Sequence, residues 1–162
     1  MQNGEPTVKT NVLRLLTGAG IPYQWFEYDV SDGRTDAQSI AAKIGEPPEQ
    51  VFKTLVAVGA PRTWFVFVIP SVTELDLKKA AKAAGQKAIE MIPQRELLPL
   101  TGYIHGGCSP IGQKRALPTF IDETAQLYDH ICVSGGHVGL NISIEPEALR
   151  QFVGAQYADL TK

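Results

Sequence analysis

Apolar positions recur with two different periods along this chain, and the change of period marks where helix gives way to strand. Between Thr7 and Ala19 the residues Val8, Val12, Leu15, Leu16 and Ala19 fall at helical spacing, and Gly18 and Gly20 supply a stop, so an opening helix is predicted. Pro22 to Tyr28 is aromatic and extended. A polar loop with Ser31, Asp32, Gly33 and Thr35 follows, then a short helix that Asp36 is placed to cap and Gly45 to end. Val51 to Val58 and Thr63 to Ile69 are β-branched and aromatic runs joined by Gly59, Ala60, Pro61 and Arg62, the pattern of a hairpin.

Asp76 is placed to cap a helix running through Ala84, with Gly85 as its stop; Leu75, Leu77 and the alanines take one side, Lys78 and Lys82 the other. Pro93 suits the first position of a short helix over Gln94 to Leu98, which Pro99 should stop. Short strand-like pieces follow at Tyr103–Ile104, Thr119–Ile121, Ile131–Val133 and Leu140–Ile144, joined by glycine-rich turns. A last helix opens at Pro146 and ends at Gly154, with Leu149 and Val153 on its buried face. The chain has no repeat, linker or strict βαβ alternation, which predicts one α+β domain over residues 1–162. Its expected core is a mixed, mostly antiparallel sheet curled around a cleft, with helices outside.

Composition narrows this further. A length of 162 residues fits one domain of roughly 100–200 residues, and 44% hydrophobic with 20% charged residues is ordinary for a globular fold. The strongest apolar run, Trp64 to Pro70, is far too short to span a bilayer, and Met1 to Asn11 has no apolar signal region. The expected location is the cytoplasm, with no membrane partner. The 15 Lys+Arg against 17 Asp+Glu leave a net charge of −2, so any contact with a polyanion must be local. Candidates for it are Lys78, Lys79, Lys82 and Lys87, and Lys114 with Arg115. Cys108 and Cys132 are too far apart for a CxxC pair, and both are expected as free thiols.

Several segments have the residue types that chemistry needs. Gly106-Gly107-Cys108-Ser109-Pro110-Ile111-Gly112-Gln113 packs three glycines and a proline into one loop, which either lets backbone N–H groups approach a ligand or makes a structural turn. It matches neither a Walker loop nor a GxGxxG fingerprint. Lys53 stands inside the most apolar strand, where alternation puts Lys53, Leu55 and Ala57 on one face and Phe52, Thr54 and Val56 on the other. A lysine there either snorkels to water at an edge or meets an anion in a cleft. Ser134-Gly135-Gly136-His137 is a second glycine-rich segment, readable as a hairpin turn or as a second loop flanking the same site. His105, His130 and His137 form neither a triad with a serine elbow nor a zinc pattern, so no metal and no cofactor are expected. Cys108 is open to two readings, a nucleophile needing a nearby base or a small buried thiol.

Taken in order, Lys53-Thr54-Leu55-Val56, Leu75-Asp76-Leu77-Lys78-Lys79, Thr101-Gly102-Tyr103, Gly106 to Lys114, Leu117-Pro118-Thr119 and Val133-Ser134-Gly135-Gly136 with Gly139-Leu140 resemble the YbaK family. These are free-standing relatives of the editing domain inserted in bacterial prolyl-tRNA synthetase, and the match runs from about Tyr28 to Asp159. The resemblance implies a compact mixed α/β fold and a deacylase that hydrolyses a wrong amino acid from tRNA, cysteine on proline tRNA foremost. An alanine or other small-residue deacylase, or a non-catalytic binding module, are the alternatives. It implies aminoacyl-tRNA, through its acceptor end, as the partner, with prolyl-tRNA synthetase as a further one. By motif, Lys53, Gly106 and Gly107 correspond to the catalytic positions. Tyr28, Thr54, Cys108, Ser109, Pro110, Ser134 and Asn141 correspond to substrate-binding ones. Asn141 departs from the family pattern, in which Asp commonly follows the Gly-Leu pair. For a cysteinyl substrate the resemblance also suggests attack by the substrate's own thiol. The lysines of the Asp76–Ala84 helix are then either a hold on the acceptor stem or a solvated face.

Overall fold

The computed structural model describes residues 4–162. Helix α1 covers Asn11–Gly18 and is capped by Thr10, whose hydroxyl accepts from the Leu13 N–H. It starts later than the Thr7 expected from periodicity: the Thr7 amide and hydroxyl donate to the Glu27 carboxylate, and Thr10 supplies the cap. Strand β1 is Gln24–Glu27 and helix α2 is Ala37–Ile44. As the sequence predicted, Asp36 caps α2 and Gly45 closes it at φ +75°. The hairpin is also present, as β2 (Phe52–Gly59) and β3 (Thr63–Pro70). Helix α3 (Leu77–Ala84) lies between the Asp76 cap and Gly85.

Strand β4 is the pair Glu90–Met91, and a 3-10 turn at Gln94–Glu96 leads into helix α4, Leu97–Thr101. Pro99 therefore lies within a helix that it was expected to stop. It occupies the third position, where the missing N–H is one of the four that a helix start leaves unbonded. Residues 102–118 form one long irregular loop, so Tyr103–Ile104 is not a strand. The Tyr103 side chain is instead fixed by its hydroxyl, which donates to the Ile111 carbonyl. Strand β5 (Thr119–Asp122), β6 (Ile131–His137), β7 (Leu140–Ile144), helix α5 (Pro146–Val153) and β8 (Gln156–Ala158) complete the chain.

The strands make two sheets. One has three antiparallel strands in the order β1-β7-β6, the other five in the order β4-β2-β3-β5-β8, with β3-β5 and β5-β8 parallel. Most pairings are antiparallel, as expected, but the expected single curled sheet is divided, and the two parts meet where Val51 bridges to Cys132. Two core clusters follow from the alternation of β2: Phe52 and Val56 pack with α1, α5 and the inner faces of β6 and β7, while Ala57 packs with α3, Phe67 and Phe120. Asp122 ties the far end together, its buried carboxylate accepting from the Leu160 N–H at 3.0 Å. No helix among the described residues is long and apolar enough to cross a membrane.

Candidate functional site

A cavity of about 370 Å³ opens where the two sheets meet. Its walls are the first turn of α2 (Thr35 to Ala37, and Ile40), the start of β2 from Val51 to Leu55, Ser71 after β3, Leu97 of α4, the loop residues His105, Gly106 and Cys108, and Tyr28, Ser134 and Asn141 from the three-stranded sheet. Of the residues singled out in the sequence, the fold brings Tyr28, Lys53, Thr54, Gly106, Cys108, Ser134 and Asn141 to this one place.

Register explains the convergence. Ser134 lies opposite Asn141 across β6 and β7, and Phe26 lies opposite Asn141 across β1 and β7, so Asn141 sits mid-sheet with a neighbour on each side. Tyr28 is held next to them by its N–H, which donates to the Gly139 carbonyl at 2.9 Å. On β2, Lys53 pairs with Ile69 and Thr54 with Val68. The Val56 carbonyl accepts from the Ile92 N–H on the β4 side, and alternation turns the Thr54 backbone to the same edge. That edge is uncovered at Thr54, since β4 pairs only with Ala57 and Val58. Half-buried Lys53 forms no ion pair among the described residues.

Two side-chain atoms in this wall are buried without a hydrogen-bond partner, Thr54 Oγ1 and Asn141 Oδ1, and they are the only such atoms among the described residues. Asn141 is 5% exposed. Leaving a buried polar atom unbonded costs about 1–3 kcal/mol, and native folds rarely tolerate it without a use. Both residues line the one cavity. Oδ1 is an acceptor and a threonine hydroxyl is both donor and acceptor, so the pair fits a ligand group that carries N–H or similar donors.

The glycine-rich loop contributes less evenly than its composition implies. Gly106 lines the cavity at φ +89°, a conformation suited to glycine, whereas Gly107 is packed against the β6–β7 turn, where a Cβ would lie 3.2 Å from the Val138 nitrogen. The Gly107 N–H already donates to the Ile104 carbonyl at 3.0 Å, while the Gly106 and Cys108 amides have no hydrogen bond among the described residues. Ser109 is fully buried, its hydroxyl accepting from the Ile111 N–H, and Pro110 faces a separate depression beside Leu15, Leu117 and Phe152. Gly107, Ser109 and Pro110 thus lie outside the cavity wall. The second glycine-rich segment is not a turn: Ser134 to His137 is the bulged end of β6, and Gly135 and Gly136 are required because a Cβ would come within 2.8 Å of Leu140 and 2.9 Å of Val12.

Burial pushes the Cys108 thiol up to about 12 and the Tyr28 hydroxyl upward. A thiol with that value stays protonated at neutral pH, which favours the buried-thiol reading over the nucleophile. Both cysteines are free. His130 faces Glu46 at 3.3 Å and His137 Nδ1 lies 2.7 Å from the Val138 carbonyl, so of the three histidines only His105 reaches the cavity. Among the described residues no three His, Cys, Asp or Glu side chains gather as a metal site would require. The lysines of α3 do not line the cavity, and Lys79 is tied to Asp159 and to the Thr161 carbonyl.

Residues that the sequence reading missed are the α2 turn, Leu55, Ser71, Leu97 and His105 as lining. Asp36 was legible as a helix cap, and the cap is also what places the α2 turn at the cavity. Leu97 had no signal, because its contact depends on how α4 docks.

The model of the aminoacyl-tRNA editing domain family matches residues 31–152. EbsC of Enterococcus faecalis, a candidate Cys-tRNA(Pro)/Cys-tRNA(Cys) deacylase, is 44% identical over 153 residues, covering 94% of this chain and 93% of its own. The proline–tRNA ligase of Aromatoleum aromaticum is 29% identical over 131 residues, 74% of this chain and 22% of the ligase, so the likeness is to a part of that enzyme. A solved structure of a candidate trans-editing enzyme for prolyl tRNA synthetase superimposes with a TM-score of 0.80 at 28% identity, covering 96% of this chain and 99% of the other.

Proposed function

The chain belongs to the aminoacyl-tRNA editing domain family, and on that premise we propose that it is a free-standing deacylase that removes cysteine from mischarged tRNA, with proline tRNA as the carrier. The observation that supports this reading best is the pair of unpartnered buried atoms, Thr54 Oγ1 and Asn141 Oδ1, in a cavity that also holds Lys53. An aminoacyl ester brings an α-ammonium, a carbonyl and a nearby phosphate. Asn141 Oδ1 accepts from the ammonium, the Thr54 hydroxyl completes its hydrogen bonding, and the Lys53 ammonium holds the anionic terminal nucleotide.

The ester is already activated, so the protein's task is to position it and to stabilise the oxyanion. The amides of Gly106 and Cys108, uncommitted within the fold, supply donors; the Gly107 amide does not, being bonded to Ile104. With a cysteinyl substrate the nucleophile is the substrate's own sulfur. It bonds to the carbonyl carbon, the ester C–O bond breaks, the thiol proton passes to the ribose oxygen, and the cyclic thioester released is opened by water to cysteine. The thiol, with an ordinary pKa near 8.5, is partly ionised at neutral pH, whereas a serine hydroxyl is not. Discrimination between the two does not then rest on the small binding difference that one atom provides.

The test is incubation of the protein with a panel of aminoacyl-tRNAs and measurement of ester loss. Cysteinyl-tRNA is expected to be cleared fastest and seryl-tRNA slowly. Preferential clearance of alanyl-tRNA would make this a small-residue deacylase of different specificity. Tight binding of aminoacyl-tRNA without ester loss would make it a binding module.

A further inference from the structure

Next to the cavity, on the other side of α4, lies a second concavity of about 490 Å³ whose walls include Arg62, Trp64, Arg95, Glu96 and Arg115. The guanidinium carbons of Arg62 and Arg115 lie 5.1 and 5.0 Å from the Trp64 ring centroid. Stacking on an aromatic ring holds a guanidinium flat and in place but, unlike pairing with a carboxylate, leaves its charge and its N–H edge available. None of these three arginines forms an ion pair among the described residues. Three guanidinium groups against one carboxylate is a strong local excess in a chain whose net charge is −2.

We propose that this arginine–tryptophan patch holds the phosphate backbone of the tRNA acceptor arm while its aminoacyl end lies in the cavity at Lys53. The proposal rests on the deacylase reading and adds the place where the nucleic acid lies. Trp64 pairs with Val58 in the β2–β3 hairpin, so the patch lies on the same ribbon whose β2 start carries Lys53 and Thr54 of the cavity wall. Val58 is five residues from Lys53, which at about 3.4 Å per residue is about 17 Å, a length that a few nucleotides of single strand span. The segment from Arg95 to Leu100 borders both, with Leu97 in the cavity wall and Arg95 and Glu96 in the patch. Planar guanidinium forks are suited to phosphate oxygens, and the exposed side of the patch offers apposed aromatic and cationic surface of the kind that nucleic-acid grooves use. This moves the RNA contact away from Lys78 and Lys82 of α3, which lie on the helix packed against the other core cluster.

The experiment measures binding of uncharged tRNA by fluorescence anisotropy across a salt series, for wild type, the triple variant R62Q/R95Q/R115Q, the single variant Arg95→Glu and the control K78Q/K82Q. Arg95 makes no stacking contact with Trp64, so its variant tests the patch without disturbing the hairpin. The triple variant is expected to bind at least about tenfold more weakly and to lower the slope of log affinity against log salt by about 2 to 3. Arg95→Glu should weaken binding in the same direction, and the lysine variant should match wild type. Cleavage of the cysteinyl ester of adenosine, which is too short to reach the patch, should be unchanged in all four proteins. Wild-type affinity and salt slope in the triple variant would overturn the proposal, as would loss of binding confined to K78Q/K82Q. Failure of the deacylase reading shows separately, as absence of ester loss by wild type on any substrate, and leaves the binding comparison intact.

Discussion

Thr54→Val removes a hydroxyl and changes little else. Both residues are β-branched, both suit the middle of β2, and the side chain shares its face with Phe52 and Val56 of the main core cluster. In the native protein the hydroxyl oxygen is buried without a partner. An unmet hydroxyl costs about 1–3 kcal/mol, and the methyl that replaces it recovers part of a methylene's burial, about 0.8 kcal/mol in full. The variant should therefore be more stable by about 1–2 kcal/mol, which in a domain of this size raises Tm by about 2–8 °C. The same change should lower kcat/KM for cysteinyl-tRNA, because the atom that is idle in the free protein is the one the substrate uses. Urea titration gives the stability, and single-turnover ester loss gives the activity. A variant that is less stable than wild type would show that the hydroxyl is satisfied in solution. Unchanged kcat/KM would show that it does not meet the substrate. Either result refutes the reasoning that links orphaned atoms to the site.

Gly136→Ala should destabilise by about 2–4 kcal/mol in denaturant titration, because Gly136 sits at φ +95° and its Cβ would lie 2.9 Å from Val12. Cys108→Ala should retain most deacylation, and Cys108 should react slowly with alkylating reagents at neutral pH, since burial keeps its thiol protonated; activity lost as completely as in a Lys53 variant, with a trapped covalent adduct, would make it the nucleophile. The pKa values of Cys108 and Cys132 are both raised to about 12 by burial, so the folded protein binds more protons than the unfolded one above about pH 9. Their contribution to stability is complete below that pH and falls by about 1.4 kcal/mol per thiol per pH unit above it, measurable between about pH 9 and 10, before the raised tyrosines Tyr103 and Tyr157 titrate, as a drop in urea midpoint that the double alanine variant should lack.

Where local chemistry decides structure, the sequence was readable. Asp36 and Asp76 bond the first amides of α2 and α3, Gly45 and Gly85 take the left-handed conformation that ends them, and the β-branched runs of β2 and β3 pair as predicted. What escaped depends on tertiary contact. Gly135 and Gly136 look like a turn but are required by the approach of Leu140 and Val12, so a strand passes through them. Strand β8 exists because β5 offers it a parallel edge, which no local pattern records. In the site, Lys53 stood out as a charged residue in an apolar strand, Thr54, Ser134 and Asn141 came from the family resemblance, and strand register brings the four to one place. Ser109 and Pro110 shared the composition of the glycine-rich loop but face elsewhere, because composition locates a loop and not the direction of each side chain in it.

The central claim is that Lys53 serves an aminoacyl-tRNA ester at this cavity. The most direct measurement is the single-turnover rate of ester loss from cysteinyl-tRNA(Pro) with wild type and with Lys53→Ala, each checked for folding by its urea transition. Lys53 is half-buried and makes no ion pair among the described residues, so the substitution should leave the fold intact. The account predicts rapid clearance by wild type and a rate for the folded variant indistinguishable from spontaneous hydrolysis. A folded Lys53→Ala protein that clears the substrate at the wild-type rate would contradict it.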